Sequence, residues 1–97
     1  MRMLLKAQLD HEKGNQAVKD GSLGQGLQSI LDDLKPEAAY FYAEDGKRTV
    51  MIVFDMQDPS EIPPIAERFF MTANADVYLT PAMNADDLQK GLKKAFG

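Results

Sequence analysis

The chain has 97 residues, 44% of them hydrophobic and 27% charged, with a net charge of −4, which is the make-up of one soluble globular domain spanning 1–97 around a modest core. The acidic balance argues against nucleic acid or an anionic membrane as partner, since both require clustered Lys and Arg. The absence of cysteine excludes disulfides, thiolate catalysis and Cys-based metal sites. No stretch has the apolar length of a signal peptide or a membrane span, so a cytoplasmic protein is expected.

Met3 to Leu9 predicts a first strand, with Met3, Leu5, Ala7 and Leu9 on one face and Leu4, Lys6, Gln8 and Asp10 on the other. Asp10 to Gly14 reads as a polar loop, and Asn15 to Lys19 as a single helical turn capped by Asn15 and broken at Asp20-Gly21. Ser22 and Gln25 have the spacing of a capping box. Leu23, Leu27, Ile30, Leu31 and Leu34 then form a helical apolar stripe that ends at Lys35-Pro36.

Ala38 to Ala43 predicts a second strand, with Tyr40 and Tyr42 on one face and Ala39, Phe41 and Ala43 on the other. Asp45-Gly46 between two β-like runs is a hairpin signal. It leads into Lys47 to Met56, the stretch around which the other elements are read. Within it, Thr49 to Phe54 is unbroken, apolar and rich in β-branched residues, the pattern of an interior strand covered on both faces.

After a turn through Asp58 and Pro59, a helix is expected from Pro63 or Pro64, burying Ile65, Ala66, Phe69, Phe70 and Ala73. Asp76 to Thr80 predicts a fourth strand, stopped by Pro81. Asn84 caps a last helix with Asp86 and Asp87 in its first turn, Leu88, Leu92 and Phe96 on its apolar side, and Lys90, Lys93 and Lys94 toward its C-terminus.

This order predicts an α+β ferredoxin-like βαββαβ fold with an extra C-terminal helix and a four-stranded antiparallel sheet in the order 4-1-3-2. Its helices cover only one side of the sheet. The central strand has Val50, Ile52 and Phe54 on one face and Met51 and Val53 on the other, so the second face also needs cover. The simplest cover is the same face of a second copy, which predicts a homodimer through the sheet face.

Several stretches carry a resemblance: Gly14-Asn15, Asp20 to Leu23, Pro36 to Phe41, Arg48-Thr49, Ile62-Pro63 with Ile65 to Glu67, and Pro81 with Met83-Asn84. Through them the chain resembles, over nearly its whole length, a group of small uncharacterised bacterial proteins and the dimeric α/β-barrel superfamily, in which two ferredoxin-like sheets close against each other. Some members of the group carry a pantothenate synthetase label. That enzyme is similar to nucleotidyl-transfer folds with an HxGH motif, whereas this chain has a single histidine. The superfamily includes cofactor-free monooxygenases, isomerases, haem-degrading enzymes and stress proteins, so the resemblance implies an architecture and no one reaction.

Candidate chemistry concentrates on the face opposite the helices. Lys6, Gln8, Tyr40, Tyr42 and Tyr78 are candidate ligand-binding residues of a polar cavity in such a dimer, with Asp55 approaching from a neighbouring strand. The bland alternative is that they pair with one another and only build the interface. Lys6, Asp55 and His11 are the candidate acid–base groups, although His11 reads first as a solvated loop residue and only second as a functional one. His11 and Glu12 lack a third ligand at metal spacing, so no metal is expected, and no cofactor either. Arg48 is expected to pair with Glu44 or Asp45 at the surface. Gly21, Gly24 and Gly26 match neither phosphate-loop pattern and read as the approach to a helix. Lys47 to Phe54 lacks the glycine and the first aromatic of an RNA-binding strand. Two classes remain: a small-molecule-binding or cofactor-free enzyme domain, and a non-catalytic interaction module.

Overall fold

Thr49 to Phe54 forms the interior of the longest strand, flanked on both sides by partners. In a computed structural model that describes residues 1–97, the strands are β1 (Arg2–Gln8), β2 (Ala38–Glu44), β3 (Lys47–Asp55) and β4 (Asp76–Pro81), and the helices are α1 (His11–Asp20), α2 (Ser22–Leu34), α3 (Ile62–Ala73) and α4 (Ala85–Phe96). The sheet runs β2-β3-β1-β4 with every neighbouring pair antiparallel. Read from the other edge this is the 4-1-3-2 order of the ferredoxin-like fold, extended by α4.

The register follows from the β2–β3 hairpin. Asp45 and Gly46 both adopt positive φ, 55° and 73°, the geometry of a two-residue turn whose twist suits the strands. The turn places Glu44 opposite Lys47 and Tyr40 opposite Met51. On the helix side Leu5 faces Ile52, and Met3 faces Phe54. Leu5, Ile52 and Phe54 are sealed from solvent, and α2 and α3 close over them with Ile30, Ile65, Phe69 and Ala73.

The helices depart from expectation in instructive ways. The stretch read as a polar loop is the first turn of α1, a helix of 10 residues whose cap is Asp10, not Asn15; the Asp10 carboxylate accepts from the Lys13 amide at 3.0 Å. Arg48 leaves its hairpin neighbours and crosses to α1, donating to Asn15 Oδ1 at 2.9 Å. Gly14 lies beneath it, and a Cβ at that position would sit 3.1 Å from Arg48 Nη1. A glycine inside this helix is therefore a packing choice.

The Ser22–Gln25 capping box does not form. Gly21 caps α2 in the left-handed region at φ 82° without a side-chain hydrogen bond, and the Ser22 amide instead donates to Asp20 Oδ1 at 2.8 Å. Asp20 is the better acceptor, and glycine meets the backbone demand at no steric cost. The second helical region begins with a short 3₁₀ turn, Pro59–Glu61, closed by reciprocal Asp58–Glu61 capping, and α3 follows at Ile62. Phe70, expected to be buried, is 42% exposed; it follows Phe69 by one residue, and 100° of helical rotation turns it to the rim.

α4 stands apart. Asn84 and Asp87 form the expected reciprocal cap, yet the helix buries no residue against the body. Its side-chain tether to the sheet is the Arg2 Nη1–Asp87 Oδ2 pair at 3.3 Å. The molecule measures 54 × 27 × 18 Å with a radius of gyration of 15.3 Å, against the about 12–13 Å of a compact chain this long. No helix is long and apolar enough to cross a membrane.

Candidate functional site

The face of the sheet opposite α1–α3 is bare, and the registers define its rows. Tyr40, Met51, Lys6 and Tyr78 lie side by side across the four strands. One step toward the hairpin lie Tyr42, Thr49, Gln8 and Asp76, and one step away lie Ala38, Val53, Leu4 and Thr80. All three tyrosines of the chain are on this face. Tyr40 is 62% and Tyr78 51% exposed.

Its polar end is organised by Glu44, the last residue of β2. Lys6 Nζ donates to Glu44 Oε2 at 2.8 Å, Gln8 Nε2 donates to the same oxygen at 3.2 Å, and Tyr42 donates to Oε1 at 3.0 Å. Gln8 also reaches Asp45 Oδ2 at 3.1 Å. These side chains from β1 and β2 meet by reaching across β3, and they can do so because the residue beneath them, Thr49, is short. Thr49 and Gln8 are consequently buried although they lie on the bare face. Thr49 Oγ1 donates to the Lys47 carbonyl, and no buried side-chain polar atom lacks a partner. The Lys6 ammonium also stands 4.7 Å from the Tyr78 ring centre, within cation–π range.

These contacts fix the charge states. The Glu44 carboxyl is held below the usual carboxylate range, first by the Lys6 hydrogen bond and then by that from Tyr42. Lys6 is pushed up by its bond to Glu44, against desolvation. Tyr42 is pushed up by desolvation and by its bond to the already anionic Glu44. At neutral pH the cluster is an ammonium, a carboxylate and a neutral phenol, none of them poised to exchange a proton. What it offers is an aromatic floor with a fixed hydrogen-bonding edge.

Two of the candidate acid–base residues lie elsewhere. Asp55 shares the bare face but sits opposite Arg2, four residues along β1 from Lys6 and thus about 13 Å away. It takes the N-terminal ammonium at 2.6 Å, and that bond, above all, holds its carboxyl low. His11 opens α1, exposed to solvent and off the sheet face. Nowhere do three His, Cys, Asp or Glu side chains gather at metal-binding distances.

Two features escape a reading of the sequence. Glu44 is one; the Asp-Gly signal fixes Glu44 opposite Lys47 and was the available clue, but the contact with Lys6 spans a strand. The other is a cleft of about 410 Å³ in the helical layer, floored by Leu9, Leu23, Leu27, Ile30 and Phe69, with Arg68 at its rim. Gly26 and Ser29 of α2 and Thr72 of α3 also line it. Arg68 is itself engaged by Asp33.

No family model matches the chain, and no curated protein does. Among solved structures, the chain is similar to a formyltetrahydrofolate deformylase from Pseudomonas putida KT2440, with a TM-score of 0.51 and 12% identity over 84% of this chain. The matched region spans 28% of that enzyme's chain. At such identity the likeness is one of fold: this chain is an α+β, ferredoxin-like unit whose sheet carries its helices on one side.

Proposed function

We propose that the bare sheet face closes against the same face of a second copy, in the manner of the dimeric α/β barrels. Between the copies, the Lys6–Glu44 end would bind a small molecule with a planar or aromatic body and a hydrogen-bonding group. One observation carries this reading: the row Tyr40–Met51–Lys6–Tyr78, a continuous apolar and aromatic surface around one cation, left uncovered by the chain's own helices. Tyrosine and methionine accept flat ligands and partner side chains alike, and convergent polar groups beside an apolar floor are the usual make-up of a ligand site. The fixed protonation states favour binding over acid–base catalysis. Lys6, Gln8, Tyr40, Tyr42 and Tyr78 are the ligand-facing residues in this reading; Asp55 and His11 have no part in it.

A second reading rests on Glu44. Because it already satisfies Lys6, Gln8 and Tyr42, the same residues would serve purely as a polar seam between two copies. Native mass spectrometry of the protein as purified separates the two. The expected result is a dimer carrying a reproducible added mass, lost in Lys6→Ala while the dimer persists. A dimer with no added mass that dissociates in Lys6→Ala supports the seam, and a monomer overturns both.

A further inference from the structure

β2 is an edge strand without protection. The sheet runs β2-β3-β1-β4, so β2 and β4 each leave one edge unpaired, and such edges recruit other strands unless charge, proline or a bulge blunts them. β4 is blunted: it opens on Asp76, closes on Pro81, and packs Val77 and Leu79 against the core. β2 has none of these devices. Its seven residues carry one charge, Glu44 at the very end, and pair with β3 in unbroken register. The helical layer also stops short of it. Phe41, on the helix side, is 53% exposed, and Tyr40 and Tyr42 are open on the other side. Three consecutive aromatic side chains therefore stand free on the two faces of a strand whose outer edge is also free.

The sequence of this strand selects what covers it. Ala39-Tyr40-Phe41-Tyr42-Ala43 reads the same in both directions, which is the symmetry an isologous antiparallel contact requires. The backbone agrees. The two-residue turn makes Glu44 and Lys47 a hydrogen-bonded pair, so Ala38, Tyr40, Tyr42 and Glu44 direct their backbone groups inward to β3. Ala39, Phe41 and Ala43 direct theirs to the free edge. We propose that β2 pairs antiparallel with β2 of a second copy of this chain, about a two-fold axis at Phe41, joining two sheets edge to edge. This register sets Phe41 opposite the partner's Phe41 and Ala39 opposite the partner's Ala43, and it engages every outward backbone group. On the other face Tyr40 lies beside the partner's Tyr42, a cross-strand aromatic pair. Glu44 falls opposite the partner's Ala38, which keeps the two Glu44 carboxylates about 20 Å apart; a parallel pair would set them side by side. An unrelated extended peptide would satisfy the same backbone groups but makes no use of the palindrome. The contact has seven residues a side, against about 20–30 in a stable interface. It therefore joins copies at high protein concentration, and it is separate from the sheet-face closure proposed above.

With no native cysteine, the register is tested directly. Tyr40→Cys and ¹⁵N-labelled Tyr42→Cys chains are prepared separately, mixed at high concentration and oxidised mildly. Met71→Cys, exposed on α3, is the control. Directly opposite residues in this register have Cα atoms about 4.5 Å apart, within disulfide range, whereas Tyr40 and the partner's Tyr40 are diagonal neighbours at about 7–8 Å. The expected product is a disulfide-linked species of mixed isotopic mass, several-fold in excess of either homotypic product and of the control. Homotypic products in excess mean parallel pairing, and linkage no faster than the control means no pairing; each overturns the proposal. Because Phe41 faces its own copy, charge gives a second readout. Phe41→Lys in both chains, or Phe41→Glu in both, lowers the mixed linkage several-fold, and one chain of each restores it. Failure to restore overturns the register. In a Met51→Asp background, which removes sheet-face closure, the linkage persists; its loss there overturns β2 pairing as a contact of its own. A foreign peptide that co-purifies with the full chain, is absent from Phe41→Lys and suppresses the linkage overturns the proposal in favour of another chain's strand.

Discussion

Glu44 holds Lys6, Gln8 and Tyr42 through its two carboxylate oxygens, so its protonation is felt across the open face. Its pKa is lower in the fold than in the unfolded chain, so its contribution to stability is present above the ordinary carboxylate range and disappears as pH falls through the lowered value. Lys6 is raised; its contribution is present below the ordinary lysine value and disappears as pH rises through the raised one. The melting temperature should therefore be flat across neutral pH and fall on both sides. Glu44→Gln should lower it at neutral pH and flatten the acid limb, and thermal melts in a pH series check this. An acid limb as steep in Glu44→Gln as in the parent would remove Glu44 from the account. On the other side of the sheet, Phe54→Ala should cost about 3–5 kcal/mol, the penalty for emptying a sealed aromatic site, read from denaturant unfolding.

Among the elements, the glycines of the helical layer separate two physical roles. Gly24 lies within α2 with nothing near its missing Cβ, so Gly24→Ala should stabilise by about 0.5–1 kcal/mol through helix propensity. Gly21 joins α1 to α2 at φ 82°, and Gly21→Ala should destabilise by about 1 kcal/mol because the left-handed region penalises a Cβ. Equal effects of the two on chemical denaturation would contradict these roles. The strands, their faces and the hairpin register were legible in the sequence, because alternation and Asp45-Gly46 are local signals. The start of α1 was not. Its residues are polar, its one buried position is Gly14, and the reason for that glycine is Arg48, 34 positions away. The candidate site divides the same way. That Lys6, Gln8 and the tyrosines share a face follows from period-two counting, whereas their convergence on Glu44 depends on side chains long enough to bridge a strand over a short Thr49.

At the scale of the whole molecule, burial is one-sided. The sheet has a packed face and a bare one, and α4 extends beyond both with its own apolar stripe. Met51 is at the centre of the bare row, in contact range of Lys6 and Tyr40 by register. Met51→Asp should give a monomer, or an insoluble chain, on size-exclusion chromatography with light scattering. A stable dimer of parent size would place the interface elsewhere.

The three tyrosines on one face have an optical consequence. The chain contains no tryptophan, so its absorption and emission beyond the phenylalanine band arise entirely from Tyr40, Tyr42 and Tyr78, while the five phenylalanines lie off that face. Tyrosine emission is thus a reporter of whatever covers the sheet and is nearly blind to the core. In a dilution series, tyrosine signals that change while the far-ultraviolet dichroism stays constant would record the opening of that face in an otherwise intact fold.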